Sequence, residues 1–283
     1  MLLSANVIRV HDAFGIKKTF DAFVEVGIGG IDFNNDIQEY YTDEHDEAFY
    51  LDLKNYASEK GLKICQAHAP FPSSYVEDDK SEKRFWEIVQ GMKNAAYLGA
   101  PMIVVHPCTH LDYDIEGNAE LLFEYNLAFY RRLVPYAEEF GIKIAIENIA
   151  RNNITSTPER LCRLFDTLDN PVFTICFDIG HCMFQGVDPA EAIRKIGPRL
   201  VSGCTHVHDN NGASDEHTLP YYGKVEWESV MRALAEIGYK GDFNYEASNF
   251  IKNIPTALYL DGLAYMAKVG QYLVGRFEEY QKH

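Results

Sequence analysis

The chain has 283 residues, of which 47% are hydrophobic, and this length and composition allow one sizeable buried core. It carries 42 acidic and 26 basic residues, which give a formal net charge of −16. Because proteins bind nucleic acids through clustered Lys and Arg side chains, this balance argues against DNA or RNA as the usual ligand.

We expect neither a membrane span nor a secretion signal. No apolar run reaches the length of a membrane span, and the amino terminus has no basic leader. The six Cys residues are dispersed, and none forms a Cys-x-x-Cys pair. Dispersed cysteines of this kind indicate reduced thiols, which are typical of cytoplasmic proteins. We therefore expect a cytoplasmic protein with no membrane partner.

Short β-rich segments alternate with longer amphipathic segments along the chain. Gly27, Gly61 and Gly99 each follow a helical pattern, and Pro158 follows the cap residue Thr157. The predicted strands are residues 2–7, 30–33, 62–68, 102–106, 142–147, 172–178, the segment that begins at 201, and 241–246. The predicted helices are residues 16–26, 46–60, 81–98, 119–140, 157–168, a short segment after Pro189, 225–237 and 256–280.

Eight strand-then-helix units without a linker predict one domain over residues 1–283. Strands that alternate with helices form parallel sheets, and eight such units are typical of a closed (β/α)8 TIM barrel. A doubly wound open sheet is the alternative. The sequence has neither a Gly-x-Gly-x-x-Gly turn after an early strand nor a phosphate-binding Gly-x-x-x-x-Gly-Lys-Ser/Thr loop. We therefore favour the barrel, and we expect no nucleotide cofactor.

The predicted strands end on side chains that can bind a metal ion. In a TIM barrel the carboxyl ends of the strands form the mouth where catalytic groups gather. Alternation along a strand predicts that Ile64 and Gln66 share the inward face of His68. Three carboxylates in one mouth would repel one another without a cation. Six consecutive strands end on such residues, and three more candidates follow them: His68, His106, Glu147, Asp178, His208 and Glu246, then His181, Asp215 and His217.

Residues 201–217 contain the densest group of candidate ligands. Cys204, His206 and His208 share one face of the seventh strand, with His208 last. We therefore expect His208 to bind the metal, and His206 to lie one layer lower and hydrogen bond behind the ligands. Structural roles are expected for the more isolated histidines, which are His11, His45, His110 and His283.

These strand endings resemble a known family of barrels. The segments that carry the resemblance are Phe177-Asp178-Ile179-Gly180-His181, His206-Val207-His208-Asp209 and Asp215-Glu216-His217. They resemble the sugar phosphate isomerase/epimerase family of xylose isomerase-like TIM barrels, to which the zinc-dependent abasic-site endonucleases are distantly related. One departure is Tyr221, which stands in Leu219-Pro220-Tyr221-Tyr222-Gly223 where the family often has Pro-Gly-x-Gly.

The resemblance implies a single divalent metal ion, either Mn, Mg or Zn, held by four residues. Glu147 and Glu246 would also form the acid/base pair that moves a proton next to the carbonyl of a bound ketose. We therefore expect a metal-dependent isomerase or epimerase with a small sugar substrate, and a homo-oligomer is compatible with this expectation. The four implied ligands are Glu147, Asp178, His208 and Glu246, and the residues that contact substrate or hold further metal are His68, His106, His181, Asp215 and His217.

Other functions use the same residue types. An abasic-site endonuclease-like phosphodiesterase would use up to three zinc ions, although the acidic charge opposes this function. A polyol dehydratase would use the same proton transfer with a leaving hydroxyl group. A barrel that binds sugars without turnover is a further alternative. Phe71 and Tyr221, in the loops after the third and seventh strands, are candidates for the wall of a sugar pocket.

Overall fold

The computed structural model of the chain describes residues 1–109, 115–151 and 153–282. Within these residues, eight parallel strands form a single sheet in which the first seven strands pair in chain order, and the first strand also pairs with the last. The strands are β1 (Leu3–Asn6), β2 (Gly30–Phe33), β3 (Lys63–His68), β4 (Met102–Val105), β5 (Lys143–Glu147), β6 (Phe173–Asp178), β7 (Cys204–His206) and β8 (Phe243–Tyr245).

The barrel closes between β7 and β8 just beyond the end of β7. The Val207 amide donates a hydrogen bond to the Asn244 carbonyl over 2.8 Å, and the Glu246 amide donates to the Val207 carbonyl over 3.0 Å. Val207 and Tyr245 form a parallel bridge. The predicted (β/α)8 TIM barrel is therefore confirmed.

Helices surround the sheet and pack their apolar faces against it. None of the helices in the described part of the chain has the length and apolar character that a membrane span requires. The helices of these residues are α1 (Ile8–Phe14), α2 (Ile16–Val26), α3 (Gln38–Tyr41), α4 (Glu47–Glu59), α5 (Asp78–Leu98), α6 (Ile115–Phe140), α7 (Pro158–Leu168), α8 (Ile179–Gln185), α9 (Pro189–Ile196), α10 (Trp227–Glu236), α11 (Ser248–Lys252) and α12 (Tyr259–Tyr280).

Four short helices are additional to those predicted, namely α1, α3, α8 and α11. Of these, α8 matters most for the mouth of the barrel because it begins directly after β6. Asp178 is the last residue of β6 and also caps α8, where its side chain accepts a hydrogen bond from the His181 amide over 2.6 Å. This cap orients the Asp178 carboxylate and brings His181 to the mouth.

The pairing of β3 with β2 is irregular at one residue. Ile31 pairs with Ile64, whereas Asp32 pairs with Gln66, so Cys65 is an extra residue in β3. The expected alternation of inward and outward side chains along β3 therefore breaks between Ile64 and Gln66. Ile64 is part of the large apolar core that includes the helices, and it does not share the inward face of Gln66.

The interior of the barrel has an apolar half and a polar half. The strands β4 to β7 contribute a small apolar cluster of Val104, Ala145, Cys176 and Cys204. Beneath the mouth, the strands β8, β1, β2 and β3 contribute the buried polar side chains of Asn244, Ser4, Asp32 and Gln66.

The loop after β7 is organised by the buried carboxylate of Asp209. Its two oxygens accept hydrogen bonds from the amides of Tyr221 (3.0 Å) and Val225 (3.1 Å) and from the Trp227 indole (2.8 Å). A Cβ atom on Gly223 would lie 2.2 Å from an Asp209 oxygen, so this position requires glycine. Tyr221 has a φ of 75°, a left-handed conformation that favours glycine. The loop thus keeps the left-handed turn of the expected Pro-Gly pattern, although a tyrosine occupies it.

The Asp209 interactions lead to a stability prediction. Asp209→Ala leaves these three donors and the Asn210 amide without their acceptor, so the free energy of unfolding should fall by about 3 kcal/mol. Asp188→Ala is the matched control because Asp188 is an exposed helix cap, whose loss costs about 1 kcal/mol. Urea denaturation followed by circular dichroism measures both variants. Equal losses in the two variants would contradict the organising role of Asp209.

Candidate metal centre

Three buried side chains and one partly buried side chain converge at the mouth of the barrel and form what we call the primary cluster. They are Glu147, Asp178, His206 and Glu246, and one ligand atom from each lies within 4.8 Å of the others. The His206 Nδ1 atom lies 3.2 Å from a carboxylate oxygen of Glu147, 3.2 Å from one of Glu246 and 3.8 Å from one of Asp178. Three carboxylates therefore surround one imidazole nitrogen.

The histidine of this cluster is His206, although the sequence pattern favoured His208. The register explains the difference, because Asp178 of β6 is the direct partner of His206. His208 lies beyond the end of β7, where its Nε2 atom is 3.1 Å from an oxygen of Asp178. The geometry therefore groups Glu147, Asp178 and Glu246 with His206 and places His208 in a neighbouring group.

His208 belongs instead to an upper cluster with His181, Asp215 and His217. Asp215 Oδ2 lies 3.3 Å from the Nε2 atom of His181 and 3.1 Å from that of His217. The rings of His208 and His217 are stacked with their centroids 3.8 Å apart. A Cβ atom on Gly180 would lie 2.0 Å from the His208 ring, so this close packing requires a glycine.

A lateral cluster is formed by His68, His106 and the second carboxylate oxygen of Glu147. The Nε2 atom of His106 lies 2.9 Å from Glu147 Oε2, and that of His68 lies 3.6 Å from the same oxygen. Phe71 contacts both histidines at ring-centroid distances of 5.5 and 5.0 Å and is half exposed. It therefore lines the mouth at this cluster. Tyr221 lies elsewhere, with its ring against Tyr272 of α12.

In the primary cluster, the buried carboxylates and the histidine shift one another's pKa values. Burial alone would raise the pKa of Glu147, but the nearby His206 and His106 outweigh it and hold that pKa well below its usual range. Burial would lower the pKa of His206, but the carboxylates of Glu246 and Glu147 raise it well above its usual value. The carboxylates thus favour the charged form of His206, whereas burial lowers the pKa of His106.

The donor atoms of these clusters fit a divalent cation. Carboxylate oxygens and imidazole nitrogens are common ligands of Zn, while Mn and Mg favour sets rich in oxygen. In the upper cluster, Asp215 Oδ1 and His208 Nδ1 are buried without a hydrogen-bond partner. In the primary cluster, three carboxylates share one small buried space. Both observations match sites in which a cation completes the interactions.

The nine candidate residues at or just beyond the strand ends, together with His206, all lie in these three clusters. Asn148 also supports the site, although no sequence motif predicted it. Its side chain accepts from the Asp178 amide over 2.7 Å and donates to the Asp178 carbonyl over 2.8 Å, which fixes the end of β6. Its position directly after Glu147 was the only available signal. Of the remaining histidines, His11 bonds to Tyr40 and His45 to Glu39, while His110 and His283 lie outside the described residues.

Comparisons with known proteins give relatives along most of the chain. An uncharacterised protein of Sinorhizobium fredii, y4fM, is 27% identical over 257 residues, which cover 82% of this chain and 81% of that protein. The D-psicose 3-epimerase of Enterocloster bolteae is 25% identical over 201 residues, or 68% of this chain and 64% of that protein. The inosose dehydratase of Bacillus cereus is 29% identical over 229 residues, or 69% of this chain and 72% of that protein.

Solved structures share the fold over nearly the whole chain. A D-tagatose 3-epimerase-like protein superposes with a TM-score of 0.77 at 23% identity and covers 100% of this chain and 98% of that one. The IolI protein with a bound zinc atom has a TM-score of 0.75 at 17% identity, with 99% of each chain covered. The family model described as xylose isomerase-like TIM barrel matches residues 20–269. Because the family model matches most of the chain, the chain belongs to the family of xylose isomerase-like TIM barrels.

Proposed function

We propose that this chain is a metal-dependent sugar epimerase or isomerase. The observation that carries the proposal is the pair of glutamates in the primary cluster. Glu147 at the end of β5 and Glu246 after β8 each approach the Nδ1 atom of His206 to 3.2 Å. Two carboxylates from different strands therefore flank one position, as proton transfer to and from a single substrate carbon requires. The D-psicose 3-epimerase relative supports this class of reaction.

The metal ion would be held by Glu147, Asp178, His206 and Glu246. When bound, it would supply a positive charge that polarises the carbonyl oxygen of a ketose and makes the neighbouring carbon more acidic. One glutamate carboxylate then abstracts the proton from that carbon, and the other returns a proton. Return to the opposite face of the same carbon gives epimerisation, whereas delivery to the adjacent carbon gives isomerisation.

The upper and lateral clusters would orient the substrate. His181 and His217 both point their Nε2 atoms at Asp215, and a sugar hydroxyl that enters between them can hydrogen bond to each ring. Phe71 is half exposed beside His68 and His106, so it offers an apolar face to the carbon side of a sugar. These residues would exclude water from the reacting carbon while they hold the hydroxyl groups.

Two other reactions draw support from particular observations. The upper and lateral clusters contain enough donors to hold two further ions, and a phosphodiesterase of the abasic-site type would need them. The inosose dehydratase relative supports loss of water from a cyclic polyol ketone, which begins with the same proton abstraction. Metal stoichiometry and product analysis distinguish these reactions from epimerisation.

The first test concerns the metal ligands. His206→Ala should weaken the binding of the tightest Mn²⁺ ion by at least about 100-fold, whereas His208→Ala should change it by less than about tenfold. Isothermal titration and elemental analysis after dialysis measure affinity and stoichiometry. One tightly bound ion per wild-type chain agrees with the epimerase proposal, and three zinc ions favour the phosphodiesterase. The reverse order of the two variants would refute the assignment of His206.

The second test concerns proton transfer. Metal-loaded protein in D₂O should exchange deuterium into the carbon beside the carbonyl of at least one ketose in a panel, as detected by mass spectrometry. Glu246→Gln should slow this exchange by about 100-fold or more because it removes one acid/base group. Glu226→Gln, which changes an exposed glutamate at the start of α10, is the matched control and should leave the rate unchanged.

Absence of exchange with every ketose, while bound metal is confirmed, would overturn the proposal. Assays of the same protein with inosose and with a duplex that contains an abasic site would then decide between the dehydratase and the phosphodiesterase.

A further inference from the structure

Arg151 lies in the loop after β5 and contacts the two neighbouring segments that follow β6 and β7. Its backbone amide donates a hydrogen bond of 2.7 Å to the side-chain oxygen of Gln185, the last residue of α8. Its guanidinium carbon lies 3.9 Å from the ring centroid of Phe184. One guanidinium nitrogen lies 3.5 Å from the carbonyl oxygen of Ala213 in the loop after β7. These contacts hold the guanidinium in one place.

That place is the edge of the mouth beside the upper cluster. Phe184 follows His181 by three residues in α8, and Ala213 precedes Asp215 by two residues. His181 and Asp215 are both members of the upper cluster. A substrate that enters the mouth therefore passes close to the guanidinium.

The backbone of Arg151 is in a conformation that arginine rarely adopts. Its φ is 44°, in the left-handed region, which glycine and asparagine enter at lower cost. Among the described residues, four other than glycine have a positive φ, and Asp169 is the one that ends a helix. The other three, Arg151, His217 and Tyr221, lie in the loops after β5 and β7. Strain of this kind is concentrated at functional sites, so the side chain of Arg151 is a candidate for a function.

A comparison with Arg163 shows that the guanidinium of Arg151 has donors to spare. Arg163 is also stacked on an aromatic ring, with its guanidinium carbon 3.7 Å from the centroid of Phe123. Two of its nitrogens donate to the two carboxylate oxygens of Glu120 over 2.7 Å each. Arg151 is equally exposed, yet no acidic side chain in the described part of the chain forms an ion pair with it. Its remaining N–H groups are therefore available to a ligand.

A stacked guanidinium with available donors suits a phosphate or a carboxylate. Its planar fork matches two oxygens of such a group, and the ring beneath it limits the freedom that is lost on binding. Arg151 follows Glu147 by four residues, so their Cα atoms lie at most about 14 Å apart. An arginine side chain and an extended sugar together span this separation. A ketose whose reacting carbon lies at the primary cluster can therefore reach Arg151 with its far end.

We propose that Arg151 determines substrate specificity by binding an anionic group, a phosphate ester or a carboxylate, at the end of the sugar farthest from the reacting carbonyl. The inference rests on the proposed function, because it names the substrate class of the same site. A guanidinium keeps its proton at all relevant pH values, so it contributes to binding and not to proton transfer. Its loss should therefore raise KM for the anionic sugar and leave kcat nearly unchanged.

The first experiment measures deuterium exchange by the metal-loaded protein with sugars that differ at one end. D-fructose is compared with D-fructose 6-phosphate and with D-fructuronate, which carry a phosphate and a carboxylate respectively. The wild type should have a kcat/KM at least about tenfold higher for one of the anionic sugars than for D-fructose. In Arg151→Gln, KM for that sugar should rise about 10- to 100-fold. The kinetic constants for D-fructose should stay within about twofold of the wild type.

Two further variants separate charge, geometry and folding. Arg151→Lys keeps the charge but not the planar fork, so KM for the anionic sugar should rise by a smaller factor than in Arg151→Gln. Arg163→Gln is the matched control, because it removes a stacked and exposed arginine from α7, and it should leave all the ratios unchanged. Circular dichroism verifies that each variant is folded. If Arg151→Gln does not fold, Arg151→Lys decides the question.

A second experiment needs no turnover. Isothermal titration compares D-glucitol 6-phosphate and D-gluconate with neutral D-glucitol, none of which has a ketone to react. One of the two anions should bind at least about tenfold more tightly than D-glucitol, and Arg151→Gln should remove this preference. The same affinities in the wild type and in Arg151→Gln would overturn the inference. Equal rises of KM for neutral and anionic sugars in Arg151→Gln would also overturn it, since they would indicate that Arg151 only braces the loops.

Failure of the proposed function gives a different result. In that case no sugar of the set exchanges deuterium while bound metal is confirmed. The titrations with D-glucitol 6-phosphate and D-gluconate then still decide whether Arg151 binds an anion. Exchange with D-fructose at the same kcat/KM as with both anionic sugars would leave the proposed function intact and overturn only the role of Arg151.

Discussion

The burial of three carboxylates around one imidazole is the constraint on which the rest of the site depends. Glu147 and Asp178 are almost fully buried, and Glu246 is only slightly exposed, yet all three approach His206. Removing such charges from water is costly unless a cation or hydrogen bonds replace the lost hydration. Histidines in all three clusters provide part of that compensation, and a divalent ion would provide the remainder.

The fold provides this arrangement through the geometry of a closed parallel barrel. The strands β3, β5, β6 and β7 end on His68, Glu147, Asp178 and His206 at the same mouth, and the segments beyond the strands add the others. Asp178 ends β6 and caps α8, while Asp209 ties the loop that carries Asp215 and His217 to α10 through Trp227. Neighbouring loops and helix ends are therefore fixed to the strands by buried hydrogen bonds. The polar half of the barrel interior lies directly beneath His206. The site is therefore in contact with the core of the barrel.

Much of this organisation could be predicted from the sequence, because alternating strand and helix patterns and the polar strand endings are local features. Register was not predictable. Whether His206 or His208 meets Asp178 depends on how β6 and β7 pair, and both histidines lie on the same face of the strand pattern. The extra residue Cys65 shows the same limit, since a bulge changes the face of Ile64 without any signal in composition. The short helices α1, α3, α8 and α11 span too few turns to produce a periodic pattern.

The most direct measurement is the position of a bound ion in a crystal soaked with Mn²⁺, located by its anomalous scattering. We expect the strongest peak among Glu147, Asp178, His206 and Glu246, with the Nδ1 atom of His206 directed at it. A strongest peak in the upper cluster with His208 as a ligand, or no peak at the primary cluster at saturating Mn²⁺, would contradict the assignment of the ion to the primary cluster.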